Sequence, residues 1–111
     1  MYRYNAKLIR VIDGDTVDAL VDLGFDVWVK KRIRLYGIDT PETRTRDLEE
    51  KKAGIAAQQR LDELMDDCGG IFVLESHGVG KYGRCLGTIY IDSHNINMLL
   101  LSEGLAKEYI K

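Results

Sequence analysis

Three runs of β-forming residues, 2–12, 16–22 and 27–36, are separated only by Asp13-Gly14-Asp15 and by Leu23-Gly24-Phe25-Asp26. Runs joined by turns this short are read as antiparallel neighbours. This meander, complete by residue 36, limits the fold more than any other feature. Pro41, the only proline, then stiffens an irregular segment, Asp39-Thr40-Pro41-Glu42-Thr43. Asp47 and Glu50 have the spacing of a capping box, and Ala53, Ala57, Leu61, Leu64 and Met65 follow at helical spacing. The spacing predicts a helix over 48–66, ended by Gly69-Gly70. Strands are expected at 71–75 and 85–91, with a glycine-rich loop at 76–83 between them. A short helix is expected at 95–102, closed by Gly104, and the tail at 105–110 is ambiguous.

Five short strands with intervening helices suit a closed five-stranded β-barrel of the OB type, an α+β architecture. Closure removes the edges that an open sheet would expose. The alternative is an open α+β sheet with one helix over it. The 111 residues are read as one domain spanning 1–111.

Four carboxylates fall at two of the turns. Asp13 and Asp15 flank Gly14, while Asp39 and Glu42 flank Thr40-Pro41. In a meander both turns lie near one barrel end. Converging carboxylates and a backbone carbonyl would suit a hard cation, Ca²⁺ or Mg²⁺. Taken one cluster at a time, the plainer reading is that each acid caps or solvates its turn. Arg34 ends the third run and Arg84 follows the glycine-rich loop. A guanidinium fork donates two parallel hydrogen bonds to phosphate. Two arginines beside a cation-binding carboxylate pair would be equipped for phosphodiester cleavage, neutralising charge that develops on the phosphorus oxygens. Singly, each arginine reads as a surface charge.

Taken together, these segments resemble the staphylococcal nuclease (thermonuclease) family. The match lies in Asp13-Gly14-Asp15-Thr16, in Arg34-Leu35-Tyr36-Gly37-Ile38-Asp39-Thr40-Pro41-Glu42-Thr43, in Lys81-Tyr82-Gly83-Arg84 and in Gly104-Leu105-Ala106-Lys107. The resemblance implies an OB-fold barrel and a Ca²⁺-dependent phosphodiesterase that cleaves DNA and RNA to leave 3′-phosphate ends. It implies Asp15 and Asp39 as metal carboxylates and Thr40 as a main-chain carbonyl ligand, with Asp13 as an outer acid. Glu42 matches the proposed general base, Arg34 and Arg84 the arginines on the scissile phosphate, and Lys81 and Tyr82 groups on another phosphate. With the sequence running to Lys111, the family's C-terminal helix is expected to be missing, and an ungapped match puts Ile110 where the type enzyme has a site tyrosine. Tyr109 is one position away and is the candidate substitute.

The net charge of −2 argues against a chain that simply coats nucleic acid. Seven of the 18 acids lie in 47–67, so the sum does not exclude a nuclease. It predicts weaker electrostatic capture of substrate than in a basic relative. Cys68 and Cys85 fit no metal pattern, and they read as reduced thiols. The start has no signal-peptide character and no run approaches the ~20 apolar residues of a membrane span. The expectation is a cytoplasmic protein, or a secreted one without its leader. Trp28 shares strand parity with Arg34, although a packing role is the plainer reading. His77 and His94 read as solvated, and Tyr2, Tyr4 and Tyr36 as packing residues.

Two functions of different classes remain. One is the active nuclease, acting on single-stranded DNA or RNA. The other is a catalytically weak or inactive module that binds single-stranded nucleic acid. A monomer or weak dimer is expected, with dimerisation covering barrel surface that a terminal helix would otherwise cover.

Overall fold

The computed structural model describes residues 2–109, apart from the side chain of Lys81. Strands β1 (Arg3–Asp13), β2 (Thr16–Asp22) and β3 (Trp28–Leu35) form the expected antiparallel meander. The two-residue strand β4 (Ile38–Asp39) and helix α1 (Leu48–Asp67) follow. Strand β5 (Ile71–Val79) pairs antiparallel with β1 on one side and with β6 (Cys85–Ile91) on the other. Strand β6 then runs parallel to β3, with Ile33 opposite Cys85 and Leu35 opposite Gly87. That last pairing closes a five-stranded mixed barrel, so the open-sheet alternative does not hold. β7 (His94–Asn95), α2 (Ile96–Ser102) and β8 (Lys107–Glu108) complete the chain.

Alternation along the strands fills the barrel. Val17, Ala19 and Val21 of β2, Ile33 and Leu35 of β3, Phe72 and Leu74 of β5 and Ile89 of β6 are buried together. Leu61 and Met65 of α1 and Ile96 and Leu100 of α2 join the same cluster. Burial of side chains this size contributes about 1.5–3 kcal/mol each.

Local chemistry sets the helix ends. Asp47 caps α1 by accepting from the Glu49 and Glu50 N–H groups at 3.0 and 3.3 Å. The reciprocal arm of the expected capping box is made differently: the Asp47 N–H donates to Thr45 Oγ1 at 3.2 Å, not to Glu50. At the other end Gly70 N donates to Met65 O and Gly69 N to Asp66 O, with Gly69 at φ 69°. This is a Schellman closure, which needs the left-handed residue that glycine supplies.

The sequence reading differs at three places. The loop expected from Ser76 is still strand to Val79, because β6 continues to pair with it through an irregularity between Ser76 and Val79. His77 is not solvated: its ring stacks on Tyr36 at 4.1 Å, and Nε2 lies 2.9 Å from Thr88 Oγ1. The ambiguous tail has a partner, since β8 pairs with β4. Cys68 and Cys85 are both free. Among the described residues no helix is long and apolar enough to cross a membrane.

Strand β1 is bulged at two points, and the first re-aims a side chain. Leu8 faces Ala19, but the next pair is Arg10 and Asp18, so Ile9 is the extra residue. Asp18, 2% exposed, then takes Arg10 Nε at 3.2 Å from β1 and Arg32 Nε at 2.9 Å from β3. The hydrogen-bonded Arg32 guanidinium holds the Asp18 carboxyl below its ordinary 3.8, against the burial that would raise it, and Arg10 adds to the lowering. A depressed folded-state pKa gives stability that is present above 3.8 and lost as pH falls through the folded value. Asp18→Asn is therefore expected to lose less stability than the parent between pH 4 and pH 2. Denaturant midpoints across that range check this, and parallel curves for the two proteins would contradict it.

Candidate active site

The β1–β2 turn enters the site because it packs tightly against α1. A Cβ on Gly14 would lie 2.6 Å from Ala57 Cβ and 3.0 Å from Thr40 Cγ2, so glycine is needed there for close approach. Asp15 follows, almost fully buried. Its Oδ1 accepts from Thr16 Oγ1 at 3.0 Å, and its Oδ2 accepts from the Thr40 N–H at 3.0 Å. The two turns singled out in the sequence are thereby hydrogen-bonded to each other.

Arg34, at the end of β3, organises the centre. Its Nη1 donates to the carbonyls of Leu35 and Ile38 at 3.0 and 2.9 Å. The same Nη1 lies 3.3 Å from Asp15 Oδ2, and Nη2 donates to Asp39 Oδ1 at 3.3 Å. One guanidinium thus spans two carboxylates and braces the bend that carries the chain from β3 to β4. The β4–β8 pairing sets Asp39 opposite Lys107. It also brings Tyr109 within reach, with Arg34 Cζ 5.7 Å from the ring centroid. Tyr109 therefore stands beside Arg34; Ile110, the ungapped match, lies outside the described residues.

Asp13 is not gathered with Asp15 and Asp39. It accepts from Thr43 Oγ1 at 2.7 Å and so ties down the segment that carries Glu42. Glu42 is exposed and lies between two depressions. One is lined by Asp39, Thr40, Glu50 and Lys107, the other by Arg10, Arg32 and Arg84. Among the described residues no three His, Cys, Asp or Glu side chains come together as a cluster that could hold a metal.

Arg84 contrasts with Arg34. It makes no ion pair or side-chain hydrogen bond among the described residues, and its nearest aromatic neighbour is Tyr82, 5.9 Å from the ring centroid. Among the described residues two buried side-chain polar atoms lack partners, Arg84 Nε and Thr40 Oγ1, and both belong to this site. An unpaired buried polar group costs about 1–3 kcal/mol, which a ligand at the site would relieve. Tyr82 is exposed, at φ 63° in a short 3₁₀ turn, Lys81–Gly83. The expected phosphate contact of the Lys81 side chain lies outside what is described.

The two gathered carboxylates, fewer than a cluster of three, are donors of the chemical type that a hard cation takes. Asp15 and Asp39 offer carboxylate oxygens, gathered by one arginine, and Thr40 is bonded to the first of them. Oxygen-only ligation of this kind suits Ca²⁺ or Mg²⁺, with water completing the shell.

The sequence reading missed Gly54. A Cβ there would lie 2.6 Å from both the Pro41 and Glu42 carbonyl oxygens, so α1 rests directly on the backbone that presents Glu42. The available signal was an isolated glycine within a helical pattern. Asn97 was also missed. It is buried and donates to the Tyr36 and Gly87 carbonyls at 2.9 and 3.1 Å, pinning α2 where β3 meets β6.

A family profile described as "Staphylococcal nuclease homologue" matches residues 32–111. The endonuclease YncB of Bacillus subtilis (strain 168) is 34% identical over 106 residues, covering 93% of this chain and 47% of that protein. The micrococcal nuclease of Shigella flexneri is 32% identical over 115 residues, covering 96% and 59%. Protein ParB of Escherichia coli is 30% identical over 116 residues, covering 93% and 56%. The chain spans about half the length of these curated relatives.

Proposed function

The chain belongs to the staphylococcal nuclease homologue family, and from that premise we propose that it is a Ca²⁺-dependent endonuclease that hydrolyses phosphodiester bonds in DNA and RNA, leaving 3′-phosphate ends. The observation that carries this reading is the pairing of two unlike arginines. Arg34 is held by Asp15, Asp39 and two carbonyls, whereas Arg84 has a buried, unpartnered Nε. The β3–β6 register sets Arg34 opposite Leu86, two residues from Arg84, so both guanidiniums serve one end of the barrel.

In this reading Arg84 binds a phosphate oxygen through its free N–H groups. Arg34 stabilises the charge that builds on the equatorial oxygens during in-line attack. Glu42, exposed at the junction of the two depressions, orients a water and takes its proton as the new P–O bond forms. The P–O5′ bond breaks, and the 5′ oxygen leaves and is protonated from solvent. Asp15, Asp39 and the Thr40 carbonyl would hold Ca²⁺, which when bound supplies Lewis-acid neutralisation of phosphate charge. Asp13 acts through Thr43, positioning the Glu42 segment.

Incubation with single-stranded DNA is expected to release acid-soluble fragments with Ca²⁺ and none with excess chelator. The fragments should accept polymerase extension only after phosphatase treatment, as 3′-phosphate ends require. Binding of the strand without Ca²⁺-dependent release would sink the reading and leave the non-catalytic binding module in its place.

A further inference from the structure

The outward face of the β1–β2–β3 sheet carries a stripe of cations that the catalytic reading does not use. Ile33 and Leu35 point into the barrel, so Arg34, Arg32, Lys30 and Trp28, at every second position, point outward. The β2–β3 register is unbroken from Thr16–Arg34 to Asp22–Trp28, so no bulge interrupts the stripe. Strand β1 adds two cations to the same face: Arg10, on Asp18, and Lys7, whose Nζ lies 4.7 Å from the Trp28 ring centroid.

The acids beneath do not cancel this charge. Asp18 is shared by Arg10 and Arg32, and Asp22 accepts from the Gly24 N–H in its own turn. Four cations, Lys7, Arg10, Lys30 and Arg32, therefore stand over two carboxylates. The chain's excess of acid lies elsewhere, in 47–67. Arg10 and Arg32 also line the depression that contains Glu42 and Arg84, so the stripe opens directly into the proposed reaction centre.

We propose that this face is a track for the single-stranded nucleic acid flanking the scissile phosphate, with Arg32, Arg10, Lys30 and Lys7 on successive phosphates and Trp28 as a stacking surface for a base. From Arg34 to Trp28 the strand rises roughly 20 Å, the length of about six stacked nucleotides. Half-exposed aromatics beside cations are the pairing that unspecific single-strand binding uses. The shared carboxylate of Asp18 gives Arg10 and Arg32 a fixed spacing, so less side-chain entropy is lost on binding. The track rests on the nuclease reading for its occupant, yet binding can be measured without any cleavage.

Trp28 is the only tryptophan of the chain, which makes its fluorescence a reporter of the far end of the track. In chelator, a twelve-nucleotide single strand is expected to quench it, and a dinucleotide is not. The double variant Lys7→Gln, Lys30→Gln leaves Arg10 and Arg32 on Asp18 and so retains the fold. By anisotropy of a labelled twelve-mer, its dissociation constant should rise about fivefold or more at low salt. The slope of log affinity on log salt should fall by about 1.4, from about 0.7 per lost phosphate contact. Its Ca²⁺-dependent cleavage of the dinucleotide should match the parent's. An unchanged dissociation constant and salt slope, or an equal loss on dinucleotide and twelve-mer, would overturn the track while leaving the nuclease reading intact. Twelve-mer binding that weakens in the double variant, by a protein that cleaves neither the twelve-mer nor the dinucleotide with Ca²⁺, would support the track and remove the nuclease.

Discussion

Replacing Arg34 with lysine is expected to lower cleavage of a dinucleotide by about 10³-fold while the protein stays folded. Deleting a single preorganised donor to a developing oxyanion already costs about 10²–10³ in rate. Arg34 has a further task, because its planar fork bridges Asp15 and Asp39 and also donates to the Leu35 and Ile38 carbonyls. An ammonium is a point charge and cannot reproduce that span. The lysine keeps a positive charge near Asp15, so the penalty of an unpaired buried carboxylate, about 3–5 kcal/mol on full removal of a partner, is largely avoided. Single-turnover cleavage with Ca²⁺, read beside a thermal melt, separates the two effects. A lysine variant within tenfold of the parent rate would show that Arg34 merely braces the bend between β3 and β4.

The second large effect is expected at Gly54, which has no side chain of its own to take part in the chemistry. By helix propensity alone, Gly54→Ala should stabilise α1 by about 1 kcal/mol. The structure predicts the opposite sign. The new Cβ would meet the Pro41 and Glu42 oxygens at 2.6 Å and the Glu42 carbonyl carbon at 2.8 Å, all backbone atoms with no rotamer to escape by. Overpacking of this kind costs about 1–3 kcal/mol. Either α1 lifts or the Pro41-Glu42 segment shifts, and a displacement near 1 Å at a catalytic group costs about 10²-fold in rate. The variant should therefore melt lower and cleave about 10²-fold more slowly, the rate loss appearing in kcat more than in KM. A variant that is more stable and fully active would contradict the contact between α1 and the Glu42 segment.

Much of this protein was legible because its signals are local. The runs that became β1, β2 and β3 are bounded by turn residues a few positions apart. Asp47 caps the next element through N–H groups two and three residues on, and Gly69-Gly70 ends it through a left-handed turn. Segments decided by distant partners were read less well. Ser76–Val79, with its glycine, looked like loop and is strand because β6 pairs with it. His77 looked solvated and is stacked on Tyr36, more than forty positions away. The tail at Lys107–Glu108 has no pattern of its own and is held by Ile38 and Asp39.

The candidate site divides in the same way. Residue chemistry named Asp13, Asp15, Asp39, Glu42, Arg34 and Arg84 as types suited to a cation and a phosphate and identified the two turns that carry the acids, and the family resemblance added Thr40. The sequence could not say that one guanidinium would hold Asp15 and Asp39 together, that Asp13 would turn to Thr43, or that Arg84 would be left unpaired. Nor could it say that Ile9 would bulge out and deliver Arg10 to Asp18. Strand pairing decided these. In a sheet one inserted residue reverses the face of every side chain beyond it, so which charges share a face depends on register with the paired strand. Turn chemistry, capping and alternation need only neighbours, and the sequence by itself determined those. The parallel closure of β3 on β6 needs a partner more than fifty residues away, and the bulges of β1 and the seat of α1 on Pro41-Glu42 are set by packing between elements, so only the tertiary structure supplies them.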